Sequence, residues 1–202
     1  MSRRIFALLA ALVVAAFGFA AGPAASEERP EVLIERIKAD PAIRGGDVRK
    51  LSALADELVM PHVNFQRMTS LAAGRWWRQA TPEQQARLMD EFRAMLLRTY
   101  AGALASVDDQ TIRMKPMRAG ADAGDVIVRS EIVQPRGEPI QLDYRMQRID
   151  GVWKIYDVSV LGAWLVETYR TQFGQEATRS GVEGLIKSLA DKNRQSDSVA
   201  GR

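Results

Sequence analysis

The sequence predicts an α+β protein: a twisted four-stranded antiparallel sheet packed by several helices. Three observations carry that expectation. From Glu31 to Ala105 apolar residues recur at helical spacing, in segments broken by Pro and Gly. From Thr111 to Val160 the period drops to two, in four runs joined by short turns. Beyond Gly162 the helical period returns and holds to about Asn193.

At the N-terminus, Arg3-Arg4 is followed by an apolar run, Ile5 to Phe19, and by small residues from Ala20 to Ser26. That is the pattern of a cleavable export signal over residues 1–25. The run is short of the roughly 20 residues that a membrane span needs. One domain over residues 26–194 and a polar tail over 195–202 are then expected. The chain has 202 residues, 47% hydrophobic and 26% charged, so it can bury a sizeable core. The formal charge is +3; without Arg3 and Arg4, 26 basic residues face 25 acidic ones, a net +1. No basic run appears, so nucleic-acid binding is not expected. The absence of cysteine removes disulfides, thiol chemistry and a lipid anchor on an N-terminal cysteine.

Glu31 to Lys38 reads as a short amphipathic helix ending before Pro41. Asp47 is placed to cap the next, which runs to about Met60 with Leu51, Leu54, Ala55 and Leu58 inward. Pro61 interrupts it. Val63, Phe65, Met68 and Leu71 resume a helical pattern that Gly74 ends. In Thr81-Pro82-Glu83-Gln84, Thr81 is the N-cap, Pro82 the first helical residue and Gln84 the capping-box partner. That helix is expected to reach about Ala105, a length of roughly 36 Å, with Phe92, Leu96, Tyr100 and Leu104 on its apolar face.

Thr111 to Met117 is a weak strand broken by Pro116. A turn over Gly120 to Asp125 leads to Val126, Val128, Ser130 and Ile132, which share a face. Pro135-Arg136-Gly137 turns the chain again. Ile140, Leu142, Tyr144 and Met146 then alternate with Gln141, Asp143, Arg145 and Gln147. Asp150-Gly151 is a tight turn into the strand Val152 to Val160. A plain two-residue turn there sets Tyr144 opposite Asp157, the wrong face for an inward Val158. A β-bulge near the turn is therefore expected, with Val158 and Val160 inward. Asp143 and Asp157 are expected on the solvated face. Gly162 breaks the period, and Leu165, Val166, Tyr169 and Phe173 fall on a helix. A separate last helix spans about Thr178 to Asn193, with a loose tail from Gln195.

Catalytic signatures are missing. His62 is the only histidine, so a His/Cys metal centre cannot be built, and a structural or surface role is expected for it. No Gly-x-Ser-x-Gly elbow, phosphate loop or dinucleotide-binding glycine motif occurs. What is in excess is apolar surface with a wet edge. Tyr100, Tyr144, Tyr156, Tyr169, Trp153 and Trp164 can each hold a ring inward and a polar tip outward. One sheet face, the long helix and the helix after Gly162 are expected to enclose an apolar cavity.

Three blocks carry a family resemblance. The first is Pro61-His62-Val63-Asn64-Phe65 with Met68. The second is Gly74-Arg75-Trp76-Trp77-Arg78-Gln79-Ala80-Thr81-Pro82-Glu83-Gln84, followed by Glu91-Phe92 and Leu97-Arg98-Thr99-Tyr100-Ala101. The third runs from Trp153-Lys154-Ile155-Tyr156-Asp157-Val158 through Tyr169-Arg170-Thr171-Gln172-Phe173. Together they resemble the MlaC family, the toluene-tolerance auxiliary proteins, which carry phospholipid across the periplasm of Gram-negative bacteria. Two departures stand out: Asn64 where the family usually has Asp, and Ala163-Trp164 where a Val-Ser-like pair is common.

The resemblance implies phospholipid as cargo, no cofactor and no catalysis, with acyl chains held between sheet and helices. It implies a periplasmic shuttle between two partners: an inner-membrane ABC transporter complex with an MCE-domain ring, and an outer-membrane lipoprotein with its porin. Such a shuttle maintains outer-membrane lipid asymmetry; a monomer is expected. Lipid contacts are expected from Phe92, Leu96, Tyr100, Leu104, Val128, Ile132, Leu142, Tyr144, Met146, Val158, Val160, Trp164, Leu165 and Tyr169. Arg75, Arg78 and Arg98 are expected near the cavity mouth, where a carrier meets its partners. Two other readings compete. One is a periplasmic chaperone or adaptor that binds protein through an apolar face. The other is a small enzyme acting on a hydrophobic substrate, which requires a buried acid or base that the sequence does not single out.

Overall fold

A computed structural model describes residues 30–105, 110–116, 124–134 and 137–200. The expected export signal, most of the turn after Pro116, and Pro135-Arg136 lie outside them. The chain forms two compact units, one of residues up to Asn64 with Tyr100–Trp164, the other of Phe65–Thr99 with the chain from Leu165 on. Among the described residues no helix is long and apolar enough to cross a membrane.

The first unit begins with α1 (Pro30–Ala39), α2 (Pro41–Arg44), α3 (Val48–Leu58) and a 3-10 turn, Met60–His62. The Asp40 and Asp47 carboxylates cap α2 and α3, accepting from the amides of Ala42 at 2.8 Å and Arg49 at 2.9 Å. The four residues of α2 bury one side chain, Ile43, too few for a period to show in the sequence. Arg36 and Glu57 tie α1 to α3 through two parallel hydrogen bonds of 2.5 and 2.9 Å.

The sheet follows: β1 (Thr111–Met114), β2 (Asp125–Val133), β3 (Ile140–Ile149), β4 (Val152–Val160) and β5 (Ala163–Trp164). It is an antiparallel meander of five strands in chain order, not four. β5 has two residues, below the length at which alternation can be read. Asp150-Gly151 joins β3 to β4 with φ of 49° and 82°, and Leu161-Gly162 joins β4 to β5 with φ of 51° and 84°. Two positive φ values are what a tight hairpin turn requires. Gly162 thus ends the alternation by turning the chain, but into one more strand before the helix.

The expected bulge is present, and it is Tyr156. Near the turn Met146 lies opposite Ile155; one step further Arg145 lies opposite Asp157 and Tyr144 opposite Val158. Tyr156 is the extra residue. Before the bulge Ile155 is on the apolar face, beside Met146; after it Val158 and Val160 are. The outer edge of β4 is covered here as well. Val63 forms a parallel bridge with Ile155, and the Asn64 amide donates to the Ile155 carbonyl at 2.7 Å. The Lys154 ammonium donates to the Pro61 carbonyl. An open strand edge is thereby closed by the chain's own backbone.

Asp143 and Asp157 lie on the other face of the sheet, as alternation requires, but that face is not solvated there. Asp143 is 6% exposed and Asp157 fully buried. Arg145, directly across from Asp157, donates to its Oδ2 at 3.0 Å, and the Val158 amide donates to Oδ1 at 2.9 Å. The Arg145 guanidinium also stacks on the Trp164 ring, 3.9 Å from its centroid. The sequence periodicity assigned a face, and the charge partner that permits burial sits on the neighbouring strand.

The second unit is helical: α4 (Phe65–Ala73), α5 (Arg75–Gln79), α6 (Pro82–Ala105) as far as Thr99, and α7 (Leu165–Ala200). The capping box that opens α6 is reciprocal: the Thr81 amide donates to Gln84 Oε1 at 3.1 Å, and the Gln84 amide to Thr81 Oγ1 at 3.2 Å. Arg87 on α6 pairs with Glu183 on α7 at 2.7 Å, and this hydrogen bond, aided by Gln84, holds the Glu183 carboxyl below its ordinary pKa. The two helices expected after Gly162 are both present within α7, parted later than expected. The first runs on through Gly174, whose neighbours Phe173 and Ala177 are buried at 2% and 0% exposure. The kink of α7 falls at Gly181, whose φ of 69° and ψ of −175° are not helical. The helix also passes Gln195, where a loose tail was expected. Asn193, buried near that end, donates to the Glu91 carbonyl at 3.0 Å and to its carboxylate at 2.7 Å, holding α7 to α6.

Two outcomes follow from this packing. Arg145→Met leaves a buried carboxylate without its main charge partner and should cost about 3 kcal/mol, the low end for a broken buried pair because Arg145 keeps 29% of its side chain exposed. Adding Asp157→Leu should recover most of that loss in denaturant unfolding; equal losses in the single and double variants would contradict the pairing. Gly184→Ala tests the kink. Alanine favours a helix by about 1 kcal/mol over glycine, but its Cβ would fall 2.2 Å from that of Ser180. The clash should win, giving a net loss of about 1–3 kcal/mol, and a rise in Tm would contradict the geometry.

Candidate functional site

One face of the sheet is apolar over three strands. Val126, Val128 and Ile132 come from β2, Ile140, Leu142, Tyr144 and Met146 from β3, and Ile155 and Val158 from β4. Val63, Ile112, Trp153 and Val160 pack around them. The face is continuous because the pairings match apolar residues in register: Val128 opposite Tyr144, Tyr144 opposite Val158, and Met146 opposite Ile155. Ser130 sits in this face, fully buried, and its hydroxyl donates to the Leu142 carbonyl at 2.7 Å. A polar atom is thus present in the face and already satisfied.

The helical unit carries an apolar feature of its own, a cluster of four rings. Phe92 of α6 lies 5.6 Å from Phe65 of α4, and 5.0 Å from both Tyr169 and Phe173 of α7. The last two contacts are edge-on, the arrangement that ring quadrupoles favour. Phe92 is fully buried, Tyr169 is 7% exposed and Phe173 is 2% exposed.

The residues expected to contact lipid divide among these features. Val128, Ile132, Leu142, Tyr144, Met146, Val158 and Val160 share the sheet face. Phe92 and Tyr169 meet in the ring cluster. Leu165 opens α7 and is buried; Leu96 and Tyr100 are half-buried on α6. The side chain of Leu104 lies outside the described residues. Trp164 is not brought to the apolar sheet face: it pairs with Ser159 of β4 and stacks under Arg145 on the opposite side. Sequence reading misses Ile155, which the Asp150-Gly151 turn sets opposite Met146 on the apolar face, and Phe65 and Phe173, which complete the ring cluster; Trp153, whose ring was expected inward, packs against that face. For the two phenylalanines the signal was present, since both fall on the apolar stripes of their helices. Of the expected docking arginines, Arg75 and Arg78 are exposed on α5 and Arg98 is half-buried on α6.

Among the described residues no group of three or more His, Asp or Glu side chains is placed to hold a metal ion. The ionic cluster Asp157–Arg145–Trp164 is used in holding β3, β4 and β5 together. What the geometry offers is apolar contact area.

Comparison with known proteins gives the same direction. The family model for the MlaC protein matches residues 29–191. The toluene tolerance protein ttg2D of Pseudomonas putida is 30% identical over 134 residues, 63% of this chain and 62% of its own length, so the match spans less than two thirds of that relative. The intermembrane phospholipid transport system binding protein MlaC of Haemophilus influenzae is 23% identical over 84% of this chain and 80% of its own. Among solved structures, a phospholipid-binding protein from Ralstonia solanacearum, in complex with a phospholipid, is 46% identical with a TM-score of 0.79. The match covers 83% of this chain and 93% of that one. The chain belongs to the MlaC family.

Proposed function

We propose that the chain is a phospholipid carrier of the periplasm: it holds acyl chains against its apolar surfaces and moves phospholipid between the outer and inner membranes. The observation that carries this reading is the relative from Ralstonia solanacearum, whose structure holds a phospholipid and whose sequence is 46% identical. The apolar sheet face and the ring cluster supply the chemistry the task requires. Each methylene taken out of water is worth about 0.8 kcal/mol, so two acyl chains with some 30 methylenes carry roughly 24 kcal/mol. A soluble carrier must offset nearly all of that with apolar contact, and it needs no nucleophile or metal to do so. On this reading the donor and acceptor are the membrane complexes that the family resemblance implies, an inner-membrane ABC transporter with an MCE-domain ring and an outer-membrane lipoprotein with its porin. Transfer between them would maintain outer-membrane lipid asymmetry, with the carrier acting as a monomer and binding without catalysis.

Val128→Trp tests the assignment of the sheet face. Val128 is 3% exposed. If the face is ordinary core, the larger ring should cost about 1–3 kcal/mol by overpacking. If the face takes acyl chains, the ring should occupy tail volume: Tm holds or rises and bound lipid falls. Melting and lipid content measured on the same samples separate the two, and a collapse of stability with no effect on lipid would contradict the assignment. Export has its own readout. Chain purified from the periplasm should begin between Ala21 and Glu27, and an intact Met1 in the membrane fraction would contradict it.

A further inference from the structure

The helical unit carries an open cleft of about 750 Å³ where α4 gives way to α5 beside α7. Gly74, Arg75 and Trp76 line it from the corner, and Arg170, Gln175 and Thr178 line it from α7. Its lining holds two guanidinium groups, hydroxyls and an amide, and no carboxylate. The volume is within the usual range for a small-ligand site. None of its residues belongs to the apolar sheet face or to the ring cluster.

Both arginine heads are set by contacts that leave hydrogen-bonding edges available. The Arg75 guanidinium carbon lies 4.8 Å from the centroid of the Trp76 ring. Stacking takes a face of the guanidinium and leaves its N–H edge for an acceptor in the plane. Arg170 lies over Gly74, where a Cβ would sit 3.6 Å from its Nε. Among the described residues neither arginine has a carboxylate partner, unlike Arg87 and Arg179, which pair with Glu183 and Glu176. Both are exposed, so their charge is held at the mouth of the cleft without a counter-charge of the protein's own.

We infer that this cleft binds a phosphate group. A phosphate offers acceptor oxygens to two guanidinium groups at once and takes a further bond from the Gln175 amide; the Thr171 and Thr178 hydroxyls already donate to the carbonyls of Glu167 and Gly174. The source is a lipid headgroup or a free phosphate. The inference stands apart from acyl-chain carriage, since a chain that carried no lipid would still present this cleft.

The test uses the full mature chain and three probes: inorganic phosphate, sn-glycerol 3-phosphate, and vesicles of phosphatidylcholine with or without one quarter phosphatidylglycerol. Soluble probes should shift the amide resonances of Gly74 to Trp76 and of Arg170 to Gln175. Arg75→Gln and Arg170→Gln should each weaken the response by about fivefold, with Tm and co-purifying lipid unchanged because both side chains are exposed. Gln175→Glu, a near-isosteric change that puts a carboxylate in the cleft, should weaken it similarly. A response to the soluble probes without vesicle binding assigns a free phosphate. Vesicle binding that requires phosphatidylglycerol and is lost in the variants assigns a lipid headgroup. No response to any probe, or one undiminished in all three variants, overturns the inference.

Discussion

One extra residue in β4 decides how the sheet uses its two faces. The Asp150-Gly151 turn alone would bring Asp157 opposite Tyr144, on the apolar face. A carboxylate buried there without a partner would cost several kcal/mol or give up its charge. Tyr156 shifts the register by one, so that Val158 meets Tyr144 and Asp157 meets Arg145. Ile155, before the bulge, keeps the place opposite Met146 that the turn sets, and its carbonyl accepts the Asn64 amide. An uninterrupted apolar face and a neutralised buried carboxylate therefore share one cause.

The two faces then have different tasks. The apolar one buries two hydroxyls, those of Ser130 and Tyr144, and that of Ser130 is bonded to the Leu142 carbonyl. The opposite one carries the Arg145–Asp157 pair, and Trp164, the last residue before α7, lies against the Arg145 guanidinium. Trp164 is one of the two departures from the family pattern, and its place in this stack gives it a structural partner that a small residue would lack. Asn64, the other departure, acts through its backbone amide on β4, a contact any residue except proline can make.

Much of this was legible in the sequence where local chemistry is strong. The Thr81–Gln84 capping box, the Asp47 cap and the Asp150-Gly151 turn all appear where their residue types require. The need for a bulge could be deduced from register arithmetic, because an inward Val158 and a two-residue turn are incompatible without one. Its position at Tyr156 could not, because alternation alone does not say where along β4 the extra residue falls. The burial of Asp143 and Asp157 was hidden for a related reason: period-two alternation reports a side of the sheet and is silent on what covers that side or what neutralises it. The division into two helices after Gly162 was legible, but its place was not: the break falls at Gly181, inside the segment expected to be the last helix. β5 and α2 are too short for any period.

On the proposed function the apolar surfaces hold phospholipid. The direct measurement is native mass spectrometry of the chain purified from an expression host without detergent, followed by organic extraction and identification of what is released. The expected result is a population heavier than the bare chain by the mass of a host phospholipid, recovered as that lipid in the extract. A bare chain as the only species, which also takes up no lipid from liposomes, would contradict it.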